Sequence, residues 1–161
     1  MAQNQDSQDI FLTIIHAQAA YARTIDNDNL EHWPDFFTED CLYKITTASN
    51  MAKGYEVGVV YANSRGMVKD RISALREANI YEKHTYRHIL GMPVILEDNE
   101  MGVRTETGFI VVRIMHDGVT ELFASGRYFD LYRREGSGVK IAERVVVCDS
   151  QRFDTLLAIP L

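Results

Sequence analysis

From His84 to Val147 the chain reads as a run of long β-strands separated by short turns, and this run limits the fold more than any other feature. Asp98-Asn99 breaks the first pair of strands. Asp117-Gly118 is a two-residue hairpin signal between Phe109–Met115 and Val119–Tyr132. Gly136-Ser137-Gly138 precedes a last strand from Val139 to Val147. Four consecutive strands with short connections make an antiparallel meander, because parallel neighbours need a long crossover.

The residues before this run have a different period. Ile10, Phe11, Ile14, Ile15, Ala22 and Ile25 recur at three- and four-residue steps, which predicts a helix with Asp6 or Ser7 as its N-cap and Asn27-Asp28-Asn29 as its end. Asp28 with Glu31 resembles a capping box for a short second helix carrying Leu30, Trp33, Phe36 and Phe37. Pro34 is then either a first-turn proline or a kink. Thr38-Glu39-Asp40 reads as a turn and Cys41–Thr46 as a strand, followed by a loop from Ser49 to about Gly58. Ser64 caps a third helix running to about Asn79, with Met67, Val68, Ile72 and Leu75 on its apolar face. Asp70, Arg71, Arg76 and Glu77 on that helix have the spacing for i,i+4 pairing. Helices first and strands later give an α+β fold with helices packed on one face of a sheet.

The 161 residues fit one domain, with helices about 7–37 and 64–79, a sheet mostly within 84–149, and an apolar tail over 155–161. A solvated tail is polar, so this one is expected to dock on its own domain or on a neighbouring subunit. No apolar run approaches the roughly 20 residues of a membrane span. The polar N-terminus lacks the features of a signal peptide. A net charge of −6 disfavours nucleic acid as a partner. Membranes and nucleic acids are therefore not expected partners, and the cytoplasm is the expected location.

The chain has two cysteines, Cys41 and Cys148, far apart and outside any Cys-x-x-Cys or Cys-x-His unit. They make neither a disulfide framework nor an iron–sulfur site, and free thiols suit a reducing compartment. His84 and His88 are the tempting metal pair. On a strand they stand about 13 Å apart, too far to share one ion, so they are expected to hydrogen-bond in the sheet or at an interface. No metal-ligating, cofactor-binding or catalytic residue is expected. The alternative is an acid/base group in which Asp26, Asp40 and Tyr21 join His84 or His88. Arg127, Arg133, Arg134 and Arg144, near Tyr128, Phe129, Tyr132 and Phe153, have the composition of an interaction surface or of ordinary sheet packing.

Five stretches in order carry a resemblance: Leu30-Glu31-His32-Trp33 with Phe36 to Cys41, Asp70 to Arg76, Tyr86-Arg87-His88-Ile89, Ala124 to Tyr128, and Glu143 to Ser150 with Leu157 to Leu161. Together they resemble the small (beta) subunit of aromatic-ring-hydroxylating dioxygenases, from about Ile10 onward. Ala78-Asn79-Ile80-Tyr81-Glu82 and Cys41 are most similar to the branch acting on aromatic acids such as terephthalate or anthranilate. The resemblance implies the cone-shaped fold shared with nuclear transport factor two and scytalone dehydratase. It implies a structural subunit joined to a large subunit, commonly three of each. That large subunit carries the Rieske 2Fe-2S cluster and a mononuclear iron, and a reductase draws electrons from NADH. None of those ligands falls on this chain. Candidate subunit-interface positions are Arg87, His88, Arg127, Tyr128, Arg144, Phe153 and Leu161. Two further readings stay open: a stand-alone dehydratase or isomerase of the same fold using Tyr21, Asp40, His84 and His88, and a binding domain that dimerises through its sheet.

Overall fold

The computed structural model describes residues 2–56, 58–78, 81–151 and 157–161, the side chains of residues 2–7 excepted. Helix α1 (Ala2–Asp26) begins ahead of the expected Asp6/Ser7 cap, whose side chains lie outside the described ones. Its buried face is Ile10, Ile14, Gln18, Tyr21 and Ile25. Asp28, at φ 58, ends the helix: its amide donates to Ile25 and that of Asn29 to Thr24. This is the left-handed stop usually made by glycine, a conformation aspartate tolerates.

The expected capping box does not form. Leu30–Phe36 is a 3-10 helix whose cap, Asn29, makes no side-chain bond. Asp28 and Glu31 turn instead to Arg76, whose Nη1 and Nε reach their carboxylates at 2.9 and 2.7 Å. Arg76 thus ties helix α3 (Arg65–Ala78) to the end of α1, replacing the i,i+4 pairing expected along α3. The Ser64 cap is present, with its hydroxyl accepting from Met67 N at 3.3 Å. Val68, Ile72 and Leu75 are the buried face of α3.

Strand β1 (Phe37–Thr47) absorbs the turn expected at Thr38–Asp40. Between its pairs Phe37–Ile141 and Leu42–Glu143 it advances five residues against two on its neighbour, so the polar stretch is an irregularity within a strand. The loop after it holds a five-residue helix, α2 (Ala48–Ala52), capped by Thr47, and a short strand, β2 (Val60–Ala62). The first expected long strand is two, β3 (His84–Leu90) and β4 (Val94–Asn99), divided at Gly91-Met92-Pro93, where proline has no amide to offer a ladder. Both pair antiparallel with β5 (Gly102–Met115). β5, β6 (Thr120–Glu135) and β7 (Gly138–Cys148) form the expected meander. The Asp117-Gly118 turn closes with Met115 N on the Val119 carbonyl, so its loop is one residue longer than the sequence signal.

The sheet order is β2-β1-β7-β6-β5-β3, with β4 also on β5. All pairs are antiparallel except β1 with β7, so the α+β, mainly antiparallel expectation stands. α1 packs on β3 and β7, and α3 on β1, β2 and the 3-10 helix, enclosing the core.

Two glycines on neighbouring strands separate crowding from freedom. A Cβ on Gly126 meets the Val147 carbonyl oxygen at 2.0 Å, whereas one on Gly108 meets nothing within 4 Å. Gly126→Ala is expected to destabilise the fold by about 2–4 kcal/mol and Gly108→Ala by less than about 0.5 kcal/mol. Urea unfolding of the two variants checks this; equal effects would refute the close approach.

Candidate functional site

A curved sheet closed by helices encloses an interior, and here the chain's own side chains fill it. Trp33 stands edge-on to Phe37 and Tyr43, with ring centroids 5.3 and 5.0 Å apart. Phe109 stacks on Tyr128 at 4.5 Å. All five rings are buried.

Arg144 lies among them. It occupies an inward position on β7, opposite Asp130 on β6. Its Nε and Nη2 donate to the two Asp130 oxygens at 2.8 Å each, and both side chains have zero exposure. The guanidinium carbon lies 4.1 Å from the Tyr21 ring centroid and 4.3 Å from that of Tyr128. The Tyr132 hydroxyl accepts from Arg144 and donates to Asp130 at 2.9 Å. Gln18 of α1 donates to Thr107 at 2.8 Å and to Tyr132 at 3.3 Å. Burial opposes the Arg144 charge, but the Asp130 carboxylate and the Tyr132 oxygen hold it, and its pKa stands above the usual arginine value. Leu161 closes the interior: its main-chain oxygen accepts from Tyr21 and Tyr43 at 2.9 and 3.0 Å, and its side chain is fully buried. The apolar tail thus docks on its own domain at Leu157, Ile159 and Leu161; residues 155 and 156 lie outside the described ones.

The candidate interface residues divide accordingly. His88, Tyr128, Arg144 and Leu161 belong to the interior, so their side chains are not surface of this chain. Arg87 and Arg127 are exposed, and Phe153 lies outside the described residues. Arg133 and Arg134 are surface residues paired with Asp40 and Asp98.

The acid/base set comes together only in part. His88 Nδ1 lies 2.6 Å from Asp26 Oδ1, and the His88 amide donates to the same carboxylate. That amide is on the free edge of β3, so Asp26 also caps an edge that would otherwise offer itself for pairing. Asp40 is on the surface with Arg133, Tyr21 is bound to Leu161, and His84 Nδ1 meets the Glu82 carbonyl at 2.7 Å. Tyr86 stands between the two histidines, 5.2 and 6.1 Å from their rings.

The donor set does not suit an iron–sulfur cluster or a mononuclear iron. Burial pushes the Cys41 thiol up to about 11 and the Cys148 thiol up to about 12, so neither is a thiolate at neutral pH. Cys148 pairs with Thr47, six residues along β1 from Cys41, which puts the two roughly 20 Å apart. Among the described residues no group of three or more His, Cys, Asp or Glu could hold a metal ion.

The cone of helices on a mixed sheet is the nuclear-transport-factor-two-like scaffold. Its solved neighbours include a beta subunit assigned to an aromatic-ring-hydroxylating dioxygenase of Novosphingobium aromaticivorans, with TM-score 0.88 and 35% identity, covering 96% of this chain and 99% of that one. Residues 20–155 match the ring hydroxylating beta subunit family, and the chain belongs to it. Terephthalate 1,2-dioxygenase, terminal oxygenase component subunit beta 1, of Comamonas is 52% identical over 143 residues, 89% of this chain and 93% of the relative. The anthranilate 1,2-dioxygenase small subunit of Burkholderia cepacia is 38% identical over 89% of both chains. The family is the one the sequence motifs indicated: small subunits of aromatic-ring dioxygenases.

Two outcomes test the interior. Arg144→Met leaves Asp130 buried without its partner and is expected to lower stability by about 3–5 kcal/mol; a loss below about 1 kcal/mol in urea unfolding would show that the pair is solvated. The second concerns alkaline pH. Burial raises the phenol pKa values of Tyr21, Tyr43, Tyr128 and Tyr132 above the ordinary 10.0. Below about pH 9 these phenols are protonated in both states and add no pH dependence. Above about pH 10 the unfolded chain releases their protons first, so stability falls as pH rises. Their tyrosinate absorbance should therefore appear only with unfolding; its appearance in the folded chain near pH 10 would contradict the closed interior.

Proposed function

We propose that this chain is the small, structural subunit of an oxygenase that dihydroxylates an aromatic acid. The observation that carries this reading is 52% identity to a terephthalate dioxygenase beta subunit across 89% of the chain. In this reading its partner is a large (alpha) subunit holding the Rieske 2Fe-2S cluster and the mononuclear iron, three of each subunit assemble with small subunits also touching one another, and the complex works in the cytoplasm. Bound there, the cluster and iron supply the electrons and oxygen activation that add two hydroxyls to the ring.

This chain's part is mechanical. Its interior is closed, so its contribution to assembly lies on its outside. Ile89 and Ile110 are paired across β3 and β5, and Leu122 is paired with Val112 across β5 and β6. Ile89, Ile110 and Leu122 are 55%, 40% and 66% exposed, an apolar strip on the outer sheet face that suits a neighbouring subunit. Arg127, opposite Gly108, shares that face. The stand-alone dehydratase reading gains no support from Asp40 or His84, which lie apart from the Asp26–His88 pair.

Co-expressed with the large oxygenase subunit of the same organism, the chain should co-purify in a complex whose mass fits three copies of each. A stable monomer that never co-purifies would refute the reading. Truncation after Ser150 removes the buried Leu157, Ile159 and Leu161. It should lower stability by more than about 3 kcal/mol and abolish assembly, as read by thermal unfolding and size exclusion; an intact complex would count against tail docking.

A further inference from the structure

The place where the apolar tail docks is built like a ligand pocket, with the tail as its ligand. Leu157, Ile159 and Leu161 are 6%, 6% and 0% exposed. The Leu161 amide donates to the Tyr43 hydroxyl at 3.1 Å, and the Leu161 oxygen accepts from Tyr43 and Tyr21 at 3.0 and 2.9 Å. Both tyrosines are buried. Two phenols in an apolar interior thus engage the amide and the carbonyl of one residue, as a few placed polar groups orient a small ligand in a mostly apolar pocket.

The tail is held differently from the strands beneath it. Every strand is bonded main chain to main chain with at least one neighbour. Among the described residues the tail makes no main-chain hydrogen bond to a strand or a helix. Its polar contacts come from side chains: Tyr21, Tyr43, and Arg71, whose Nη2 donates to the Leu157 carbonyl at 3.4 Å. These partners lie 86 to 140 residues earlier in the chain. The tail can therefore leave without breaking a ladder, and none of its contacts depends on the covalent link.

A second, independent observation concerns the flanks of the tail. Leu157 and Ala158 border an open hollow of about 330 Å³ against Ala74 and Ala78 of α3. Ile159 borders another, of about 460 Å³, against Ile114 of β5 and His84 of β3. A segment woven into a core has packed neighbours on every side. One with open space along it opens locally at a lower cost than the sheet below.

We propose that the tail site is a self-contained peptide-binding site: it takes a short apolar peptide of the tail's own sequence in trans, and residues 157–161 are a removable plug in it. The last leucine of such a peptide takes the place of Leu161 on Tyr21 and Tyr43, and its isoleucine that of Ile159. The covalent link gives the plug an effective concentration on the order of millimolar, so it excludes a free peptide until it is loosened. The site stands on this chain's own residues and does not rest on the oxygenase reading, since its test needs neither a large subunit nor turnover.

The probe is the peptide Leu-Ala-Ile-Pro-Leu with fluorescein on its N-terminal end, followed by fluorescence polarisation against the purified full-length chain. Leu161→Asp loosens the plug, and circular dichroism checks that this variant is folded. Saturable binding to Leu161→Asp is expected, at least 10-fold tighter than to the unsubstituted chain. The peptide Leu-Ala-Ile-Pro-Asp should bind at least 10-fold more weakly, and Tyr43→Phe added to Leu161→Asp should weaken the probe at least 5-fold. Amide hydrogen exchange of the unsubstituted chain follows the plug without any variant: the Ile159 and Leu161 amides should exchange at least 10-fold faster than those of Tyr128 and Val146 in the central ladder. No saturable binding to folded Leu161→Asp, equal binding of the two peptides, no effect of Tyr43→Phe, or tail amides protected as strongly as the ladder overturns the proposal.

Discussion

The buried Arg144–Asp130 pair is the constraint around which the remainder of the structure is arranged. Removing two charges from water is costly, and mutual attraction offsets that cost only with good geometry and further hydrogen bonds. The chain meets both conditions. The two residues are cross-strand neighbours on β7 and β6, close enough for a two-point contact. Tyr21 and Tyr128 cover the guanidinium, and Tyr132 bonds to both members. Gln18 and Tyr21 come from α1, so the pair also specifies where that helix sits on the sheet. A one-residue slip of β7 would turn Arg144 outward and bring Glu143 or Val145 into its place, stranding Asp130. The pair therefore specifies register as well as packing.

The same logic extends to the edges of the fold. Tyr21 holds Arg144 with its ring and Leu161 with its hydroxyl, so the tail and the ion pair share one support. Arg76 joins α3 to the end of α1 through both carboxylates that a capping box would have used. Each link connects segments distant in sequence, and together they fasten the helices and the tail over the sheet. That is the physical content of a scaffold role: the shape is fixed internally, and what the chain does for other molecules is done from its outer surfaces.

Much of the architecture was legible because local signals and tertiary packing agree. The helical period from Ile10 to Ile25, the Ser64 cap, the Asp117-Gly118 and Gly136-Ser137 turns, and the meander all follow from short-range chemistry. The division of the first long strand at Pro93 is local, whereas other misreadings come from tertiary context. Asp28 and Glu31 have capping-box spacing, but Arg76, some 45 residues away, takes both. Thr38–Asp40 has turn composition, yet it is an irregularity within β1 between rungs to β7, with Glu39 and Asp40 bonded to Arg65 and Arg133. Arg144 looked like surface because arginine is rarely buried, and only Asp130 with the two tyrosine faces makes its burial tolerable. In the candidate site, Asp26 and His88 were both visible, but nothing in the sequence selected them over Asp40 and His84. Their contact depends on how α1 crosses the edge of β3.

The distribution of charge finally separates two kinds of surface. Most arginines are neutralised within the chain, many by carboxylates far away in sequence, so net charge is a poor guide to where the molecule attracts anions. The outer sheet face is apolar at Ile89, Ile110 and Leu122, with Arg127 already paired to Glu106. A partner there gains mainly from removing apolar area from water, which favours a large and permanent contact. The α1 cleft has a different character, with the exposed Arg23 and Arg87 beside Ala19, Ala22 and Leu90. The two surfaces meet at β3, where Arg87 stands on the outer face with Ile89 and His88 on the inner one.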